Sequence, residues 1–398
     1  MSSDTPTPQS TPQSTPQSTP QSTPQSTPQS TPQSTPQSTP QPTPQPTPHV
    51  DPDQAAVKRL NDAAERINGE LGHVIVGQAA VVEDLLVAML AGGHALLVGV
   101  PGLAKTLMVR TLADTLGLSF SRIQFTPDLM PADITGTEVI QEDRGSGTRD
   151  FKFLAGPVFA NVVLADEINR TPSKTQAALL EAMEEHQVTA GGRRHPLPEP
   201  FFVLATQNPI EQEGTYPLPE AQLDRFMFQV LVDYPAADEE FEIIRRTTAD
   251  ESPTAKTVLD HDDVVALQQL VRRIPVADHV IRYAIDLCRL SRPTRSSEAE
   301  PDGFIDRYVQ WGAGPRAGQS LVLGGKARAV LAGRTFVGID DIRAVAYPVL
   351  RHRIITSFNA EADRVISNDV VDWLLEETPA VESIDNQAVA RIFRGSDP

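Results

Sequence analysis

Short apolar runs alternate along the chain with longer stretches in which apolar residues recur every three or four positions. Runs of four to eight apolar residues closed by Gly, Asn or Asp are typical of buried parallel strands, and a period near 3.6 indicates helices. The pattern predicts strands at residues 95–98, 120–125, 161–165, 201–206 and 226–232. It predicts helices at residues 55–71, 81–90, 107–116 and 172–185, with Thr171 as the N-cap of the last and Pro172 in its first turn.

Two polar stretches between these strands predict β-hairpins. The first pairs residues 137–141 with 148–153. The second spans residues 187–197 and turns at Gly191-Gly192. Both are insertions into the strand and helix pattern, and neither carries the apolar run of a central strand.

Beyond Tyr234-Pro235 the pattern is helical throughout. Val264, Leu267 and Val271 share one helix face, and further helices are predicted at 278–290, 314–333, 339–349 and 368–376. Strands that alternate with helices, followed by helices alone, predict an α/β domain over 53–234 and an all-α domain over 235–398.

Residues 1–52 have a different composition from the rest of the chain. They repeat the tetrapeptide Thr-Pro-Gln-Ser, which drifts to Thr-Pro-Gln-Pro near Gln41. Proline at every fourth position removes backbone donors, and nothing apolar is available to bury, so a disordered tail with polyproline II character is predicted. It is interpreted as a spacer, and a ligand for a proline-recognising partner is the alternative.

Charge and cysteine content narrow the functional classes. The formal net charge of −18 over 398 residues argues against a broad nucleic-acid-binding face. Cys288 is the only cysteine, so an intrachain disulfide is impossible, and its apolar surroundings predict a core residue. The sequence shows no membrane-spanning window and no secretory signal. These features together predict a cytoplasmic protein.

The stretch from Ala95 to Thr106 carries the first sign of chemistry. A strand, a loop and a helix follow one another there, which is the context in which G-x-x-x-x-G-K-[ST] marks a phosphate-binding loop. Lys105 is expected to reach the β- and γ-phosphates of a nucleotide, and Thr106 to ligate Mg²⁺. Ala104 replaces the second glycine, a change that is acceptable if its backbone is helical in φ and ψ.

Polar residues also follow two other predicted strands. Asp166 could hold a Mg²⁺-bound water and Glu167 could orient and deprotonate an attacking water. An exposed acidic strand end is the alternative for this pair. Asn208 could align the same water or the γ-phosphate, whereas a turn-forming Asn before Pro209 is its alternative.

Six motifs resemble the MoxR family of AAA+ ATPases, in order and over about residues 54–355. They are GVPGLAKT at 99–106, RIQFTPDLMPADITG at 122–136, LADEINRTP at 164–172, ATQNP at 205–209, LPEAQLDRF at 218–226 and GAGPRA at 312–317. The resemblance implies an αβα P-loop core with a parallel sheet and a helical lid. It also implies that Ala is common at the position of Ala104.

The resemblance assigns roles to individual residues. Asp166 and Glu167 become the Walker B pair and Asn208 becomes sensor 1. Arg225 matches the arginine finger, which reaches the γ-phosphate held by the neighbouring subunit, and Arg316 matches the sensor-2 arginine, which contacts nucleotide in its own subunit. The expected nucleotide contacts are Val76, Gly77, Gly99, Val100, Pro101, Gly102, Leu103, Ala104, Lys105, Thr106 and Leu107.

The resemblance further implies ATP and Mg²⁺ as substrate and cofactor, and a homo-oligomeric ring of six subunits. Related proteins act as chaperones that remodel or mature protein complexes, often with a partner that carries a von Willebrand factor A domain, and sometimes in metal or cofactor insertion. A DNA-acting motor, a metal-chelatase-type motor subunit and a non-hydrolysing scaffold are the alternatives.

Three smaller assignments complete the expectations. The two hairpins would face the ring pore or a client. Arg193, Arg194 and His195 are interpreted as solvated turn residues, and contact with a client is the alternative. The segment 351–353 resembles an RHRI segment of the lid and is expected to form structural ion pairs.

Overall fold

A five-stranded parallel sheet forms the centre of the first domain, with its strands in the spatial order 120–124, 162–166, 202–207, 95–98 and 228–231. The structure is a computed structural model, and it describes residues 52–142, 149–210, 214–250, 253–294 and 303–380. The core elements in chain order are α1 (Pro52–Val74), α2 (Ala79–Leu90), β1 (Ala95–Val98), α3 (Lys105–Thr115), β2 (Phe120–Gln124), α4 (Pro131–Thr135), β3 (Gly136–Glu142), β4 (Arg149–Ala155), β5 (Val162–Asp166), α5 (Ser173–Glu185), β6 (Gln187–Ala190), β7 (Arg193–Pro196), β8 (Phe202–Gln207), α6 (Glu220–Leu223) and β9 (Phe228–Leu231).

The second domain is mostly helical. Its elements are α7 (Ala237–Thr247), α8 (His261–Arg273), α9 (Asp278–Leu290), α10 (Phe304–Tyr308), β10 (Val309–Trp311), α11 (Pro315–Leu331), α12 (Ile339–Ala344), α13 (Ala346–Leu350), β11 (Ile355–Thr356), α14 (Phe358–Asp363) and α15 (Ser367–Glu377). α8 packs on α1 and α2, and α11 packs on α1, α2, α8 and α9. α8 and α11 therefore attach the lid to α1 and α2 of the core.

The sheet has an apolar layer on each face. Alternate residues of a strand point to opposite sides, so Leu97 joins the larger hydrophobic cluster and Leu96 the smaller one. β5 and β8 divide their side chains between the same two clusters. Since both faces of the sheet are covered, each central strand consists of a continuous run of apolar residues, as the sequence indicated.

The predicted elements of the core are present, including both hairpins, and the predicted core position of Cys288 is confirmed. The face formed by Val264, Leu267 and Val271 is buried in α8. The predicted tail at 1–52 lies outside the described residues except for Pro52, as does the middle of the first hairpin at 143–148. None of the described helices is long and apolar enough to span a membrane.

Two local predictions were wrong. The helix after β5 begins at Ser173 with Pro172 as N-cap, and the Thr171 hydroxyl does not cap it. The predicted helix at 339–349 is divided into α12 and α13, which places Pro348 in the first turn of α13, where its missing N–H costs nothing. The lid is helical as predicted, apart from the short antiparallel pair of β10 and β11.

Candidate nucleotide site

The carboxyl ends of three adjacent parallel strands bring the predicted phosphate loop and polar residues together. β8 lies between β1 and β5, with Val98 level with Gln207 and Ala165 level with Ala205. The Gly99 amide donates to the Gln207 carbonyl at 3.2 Å, which places the start of the loop beside Asn208. Ligands of open α/β sheets bind at this edge. Residues that are distant in sequence thus form one candidate site.

Gly99 and Ala104 set the path of the loop. A Cβ on Gly99 would lie 2.5 Å from the Val232 carbonyl oxygen, so only glycine fits where the loop leaves β1. Ala104 has φ 53° and ψ 23°, a left-handed conformation, and the expectation of a right-handed helical backbone there was wrong. Alanine in this region carries a steric cost of about 1–2 kcal/mol, which explains the glycine of the general pattern.

Lys105 begins α3 directly after the loop. Its ammonium group donates to the Gly99 carbonyl at 2.5 Å. Burial lowers the pKa of Lys105 below its ordinary value, while the charges of Asp166 and Glu167 act in the opposite direction. A cation, two carboxylates and the N-terminus of a helix of eleven residues therefore share one small volume.

Asp166 at the end of β5 is held on both of its carboxylate oxygens. The Thr206 hydroxyl donates to Oδ1 at 2.6 Å, and Arg122 donates to Oδ2 from Nε at 3.1 Å and from a terminal nitrogen at 2.6 Å. Thr206 is buried on β8, and Arg122 lies on β2. Strands on both sides of β5 thus fix the orientation of Asp166.

Glu167 has a left-handed backbone, with φ 58° and ψ 49°. Its N–H donates to the Thr206 hydroxyl at 2.8 Å, and its Oε2 accepts from the Gln124 amide at 2.9 Å. Arg170 forms an ion pair with the same oxygen at 3.1 Å. Backbone strain of this kind is retained where the surrounding contacts over-determine it, as the contacts with Thr206, Gln124 and Arg170 do here.

A cavity of about 350 Å³ adjoins the loop. Six residues predicted to bind nucleotide line it: Val76, Pro101, Gly102, Leu103 and Ala104, with Leu107 of α3. The other lining residues come from the segment before α2, from Tyr234-Pro235 and from α7: Val74, Ile75, Gln78, Tyr234, Pro235, Glu240, Ile243, Ile244, Arg246 and Thr247. Gly99, Val100, Lys105 and Thr106 of the predicted nucleotide contacts are not in this lining, and neither is Gly77. With φ +70°, it lies against the Glu239 carboxylate, where a Cβ would clash.

Arg225 and Arg316 lie together, and neither lines this cavity. Both guanidinium groups bind the carboxylate of Glu184 on α5, each at 3.1 Å and each to a different oxygen. Arg316 also lies 3.5 Å from Asp224. The start of α11 thus lies beside Arg225, and the predicted contact of Arg316 with nucleotide in its own subunit stays a prediction.

Arg353 of the lid is buried against the segment that carries Arg225. Its guanidinium group forms an ion pair with Asp224 at 2.7 Å and donates to the carbonyls of Phe226 at 2.8 Å and Met227 at 3.0 Å. His352 Nε2 lies 3.0 Å from the Phe226 carbonyl. The structural ion pair predicted for 351–353 is confirmed at Arg353.

The two hairpins touch through an aromatic stack. The His195 ring lies parallel to Phe153, with centroids 3.8 Å apart and planes inclined by 15°. The interpretation of His195 as a solvated turn residue was wrong, whereas Arg193 and Arg194 are exposed. Farther along the first hairpin, Ile140 and Phe151 form an exposed cross-strand pair, and their exposed fractions are 62% and 71%.

The donor set at the sheet edge suits a nucleoside triphosphate with a divalent cation. Thr106 offers a hydroxyl oxygen and Asp166 a carboxylate, which are ligands that Mg²⁺ prefers. The amides of the loop precede the N-terminus of α3, which favours phosphate. The apolar cavity beside the loop has the volume and lining of a small-molecule site. The residues present therefore fit Mg²⁺ and ATP.

Comparisons with known proteins agree with this geometry. Residues 94–228 match the profile of the ATPase family associated with various cellular activities, and residues 304–373 match an AAA lid domain. The chaperone MoxR1 of Mycobacterium tuberculosis is 44% identical over 81% of this chain and 84% of its own length. The chain belongs to the MoxR family of AAA+ ATPases. The protein MoxR of Paracoccus denitrificans is 34% identical over 75% of this chain and 89% of its own.

A solved structure shares the fold of this MoxR-family chain. The crystal structure of a putative ATPase from Cytophaga hutchinsonii superposes with a TM-score of 0.75 at 40% identity, covering 83% of this chain and 98% of that one. The predicted family and fold class, a P-loop core with a parallel sheet followed by a helical lid, are confirmed.

Four residues at this MoxR-family site were missed by sequence reasoning. They are Arg122, Gln124, Glu184 and Thr206. Arg122 and Gln124 lie within a motif that was noticed, but nothing in a β-strand pattern pairs them with Asp166 and Glu167. Thr206 gave one weak signal, a hydroxyl at the end of an apolar strand. Glu184 resembled any other acidic residue near the end of an amphipathic helix.

Proposed function

We propose that this protein hydrolyses ATP, with Mg²⁺, at the subunit interfaces of a homo-oligomeric ring and uses the energy to remodel client protein complexes. The observation that carries the proposal is the convergence of the loop after β1, the acidic pair after β5 and Asn208 after β8 at one edge of the sheet. We assign the nucleotide-binding core to residues 53–234 and the lid to 235–398.

The residues of the chain have separate tasks in this proposal. Glu167 takes a proton from the attacking water, and the Asn208 amide aligns that water. Lys105 and the loop amides bind the phosphates and stabilise the charge that develops on them. Mg²⁺, when bound by Thr106 and Asp166, would neutralise charge on the phosphate oxygens. The apolar lining around Val76, Tyr234 and Ile244 would hold the base.

The arginines complete the site from a neighbouring subunit. Arg225 and Arg316 share the Glu184 carboxylate, so the two guanidinium groups lie at one place. We propose that both act on the nucleotide of the adjacent subunit, whereas the family resemblance gives Arg316 a contact with the nucleotide of its own subunit. A head-to-tail contact of this kind generates a closed ring when the rotation is suitable, and six subunits are expected by analogy with the family.

The proposal of a client protein rests on exposed apolar residues of the first hairpin and on the name of one relative. Ile140, Phe151 and Leu154 are large apolar residues exposed on β3 and β4. One relative carries the name chaperone. We propose that the hairpins contact a client protein complex, and that a protein with a von Willebrand factor A domain acts as the adaptor.

Two variants test the site. Glu167→Gln is expected to bind ATP with near wild-type affinity and to lose turnover by about 100-fold or more, since it keeps the shape but not the base. Arg225→Ala should also bind ATP and lose turnover. Steady-state phosphate release and fluorescent nucleotide binding are the measurements, with Mg²⁺ present or chelated. Normal hydrolysis by either variant would contradict the scheme.

The Glu167→Gln variant with bound ATP is the form with which to capture the client.

A further inference from the structure

Glu184 is the carboxylate that joins the two arginines. It lies one residue before the end of α5, in the core. Its Oε2 is 3.1 Å from a terminal nitrogen of Arg225, and its Oε1 is 3.1 Å from a terminal nitrogen of Arg316. Arg225 follows α6 in the core, whereas Arg316 is the second residue of α11 in the lid. One side chain therefore ties a core arginine to a lid arginine.

The stability of the helices does not account for this arrangement. A carboxylate near the C-terminus of α5 and a guanidinium group in the first turn of α11 both oppose the dipole of their own helix. The three side chains are 32–44% exposed, so each ion pair contributes at most about 1 kcal/mol to folding. The pairing has more consequence for the position of the arginines than for the free energy of unfolding.

Without a carboxylate between them, the guanidinium groups of Arg225 and Arg316 would repel each other. Asp224 lies 3.5 Å from Arg316, but Arg353 also binds this carboxylate, at 2.7 Å. Glu184 therefore supplies the negative charge that Arg225 and Arg316 share. Each arginine has five N–H donors and uses one terminal nitrogen on Glu184, so donors remain for phosphate oxygens.

We propose that Glu184 is a positioning residue that holds Arg225 and Arg316 as one unit, so that both reach the triphosphate of the adjacent subunit together. The inference rests on the proposed function and adds to it the residue that couples core and lid in that contact. Glu184 touches neither nucleotide nor water in this role. Its effect therefore falls on the site of the neighbour and not on the site of its own subunit.

The first experiment compares single variants of the full chain. Glu184→Ala is expected to lower kcat by about tenfold or more and to change the KM for ATP by less than about twofold. Glu184→Asp keeps the charge and should recover part of the rate, and Glu184→Gln should recover less than Asp. Glu185→Ala, which removes the adjacent exposed carboxylate of the same helix, is the matched control and should keep wild-type turnover. Thermal unfolding of every variant should stay close to that of the wild type.

The second experiment asks which subunit Glu184 serves. Glu184→Ala subunits are mixed with Glu167→Gln subunits before ATP is added. The Glu167→Gln subunits cannot hydrolyse ATP but still present intact arginines to a neighbour. In random rings, about a quarter of all sites then combine an intact Glu167 with an intact arginine pair, so turnover should rise well above the mean of the separate proteins. The same mixture with Arg225→Ala is the reference.

The outcomes separate the two proposals. Recovery in both mixtures supports the role of Glu184 on the adjacent site. Recovery with Arg225→Ala but not with Glu184→Ala would overturn the role of Glu184 and leave the proposed function standing. Absence of recovery in both mixtures would overturn the composite site itself. Wild-type turnover by Glu184→Ala alone would also overturn the role of Glu184.

Discussion

The Thr206 hydroxyl donates to Asp166 Oδ1 at 2.6 Å and accepts the Glu167 N–H at 2.8 Å. One buried side chain on β8 thus contacts both Asp166 at the end of β5 and Glu167 directly after it. The contact with the Glu167 amide also supports the left-handed backbone at that residue. Thr206 acts through its neighbours, so its replacement should change the geometry of the pair without removing a reacting group.

Thr206→Val keeps the shape of the side chain and removes both hydrogen bonds. It leaves the Glu167 amide and one oxygen of Asp166 without their partner, at a cost of about 1–3 kcal/mol in the free energy of unfolding. We expect ATP turnover to fall by about tenfold or more. Thr206→Ser keeps the hydroxyl and should stay within about threefold of the wild-type rate. Equal rates for the Val and Ser variants would refute the role of the hydroxyl.

Ala104→Gly should stabilise the protein. The left-handed backbone at Ala104 costs about 1–2 kcal/mol that glycine avoids, and the greater freedom of glycine in the unfolded chain offsets about 0.4–1 kcal/mol. Urea unfolding should therefore show a gain of up to about 1 kcal/mol. Ala362→Gly, in an exposed position of α14, should instead lose about 0.5–1 kcal/mol. Losses of similar size in both variants would rule out strain at Ala104.

Arg353→Lys should destabilise the contact between lid and core. The planar guanidinium group of Arg353 donates to Asp224, Phe226 and Met227 at once. A lysine ammonium group cannot reproduce this geometry, so the substitution leaves a buried acceptor unpaired. We expect a loss of about 3–5 kcal/mol in the free energy of unfolding. Arg282→Lys, on an exposed position of α9, should change it by less than about 0.5 kcal/mol. A small effect at Arg353 would contradict the structural role of its ion pair.

His94 makes folding sensitive to acid. Its Nδ1 accepts the Val203 N–H and its Nε2 lies 3.1 Å from the Met183 carbonyl, which the neutral ring satisfies with its proton on Nε2. Burial lowers the pKa of His94 from 6.5 to about 4. Between pH 6.5 and pH 4 the unfolded chain carries a proton on His94 and the folded chain does not. The stability that the neutral ring contributes is therefore fully present above pH 6.5 and is lost as the pH falls towards 4.

His94→Gln should remove this dependence. At pH 7.5 the variant should be less stable by about 1–3 kcal/mol, because the two hydrogen bonds are disturbed. The difference from the wild type should shrink by up to about 3 kcal/mol as the pH falls to 4, because glutamine does not titrate. Asp84, whose pKa burial raises to about 6, acts in the opposite direction but equally in both proteins. A difference that stays constant between pH 7.5 and 4 would refute the assignment.

The strands, the hairpins and most helices could be predicted from the sequence because their signals are local. Leu96 and Leu97 belong to a run that is apolar on both faces, and Val264, Leu267 and Val271 repeat at helical spacing. The predictions that failed depended on single residues. Pro348 divided one predicted helix, and a left-handed backbone replaced the expected conformation at Ala104.

The sequence by itself determined the P-loop core, the helical lid and the residues that end each central strand, since parallel strands bring their carboxyl ends to one edge wherever the sheet forms. Only the tertiary structure decided which partners those residues have. Thr206 meets Asp166, and Glu184 meets Arg225 and Arg316, across separations of 40 to 132 residues. Such contacts depend on strand order and on how α8 and α11 attach the lid to the core, and neither leaves a periodic signal in the chain.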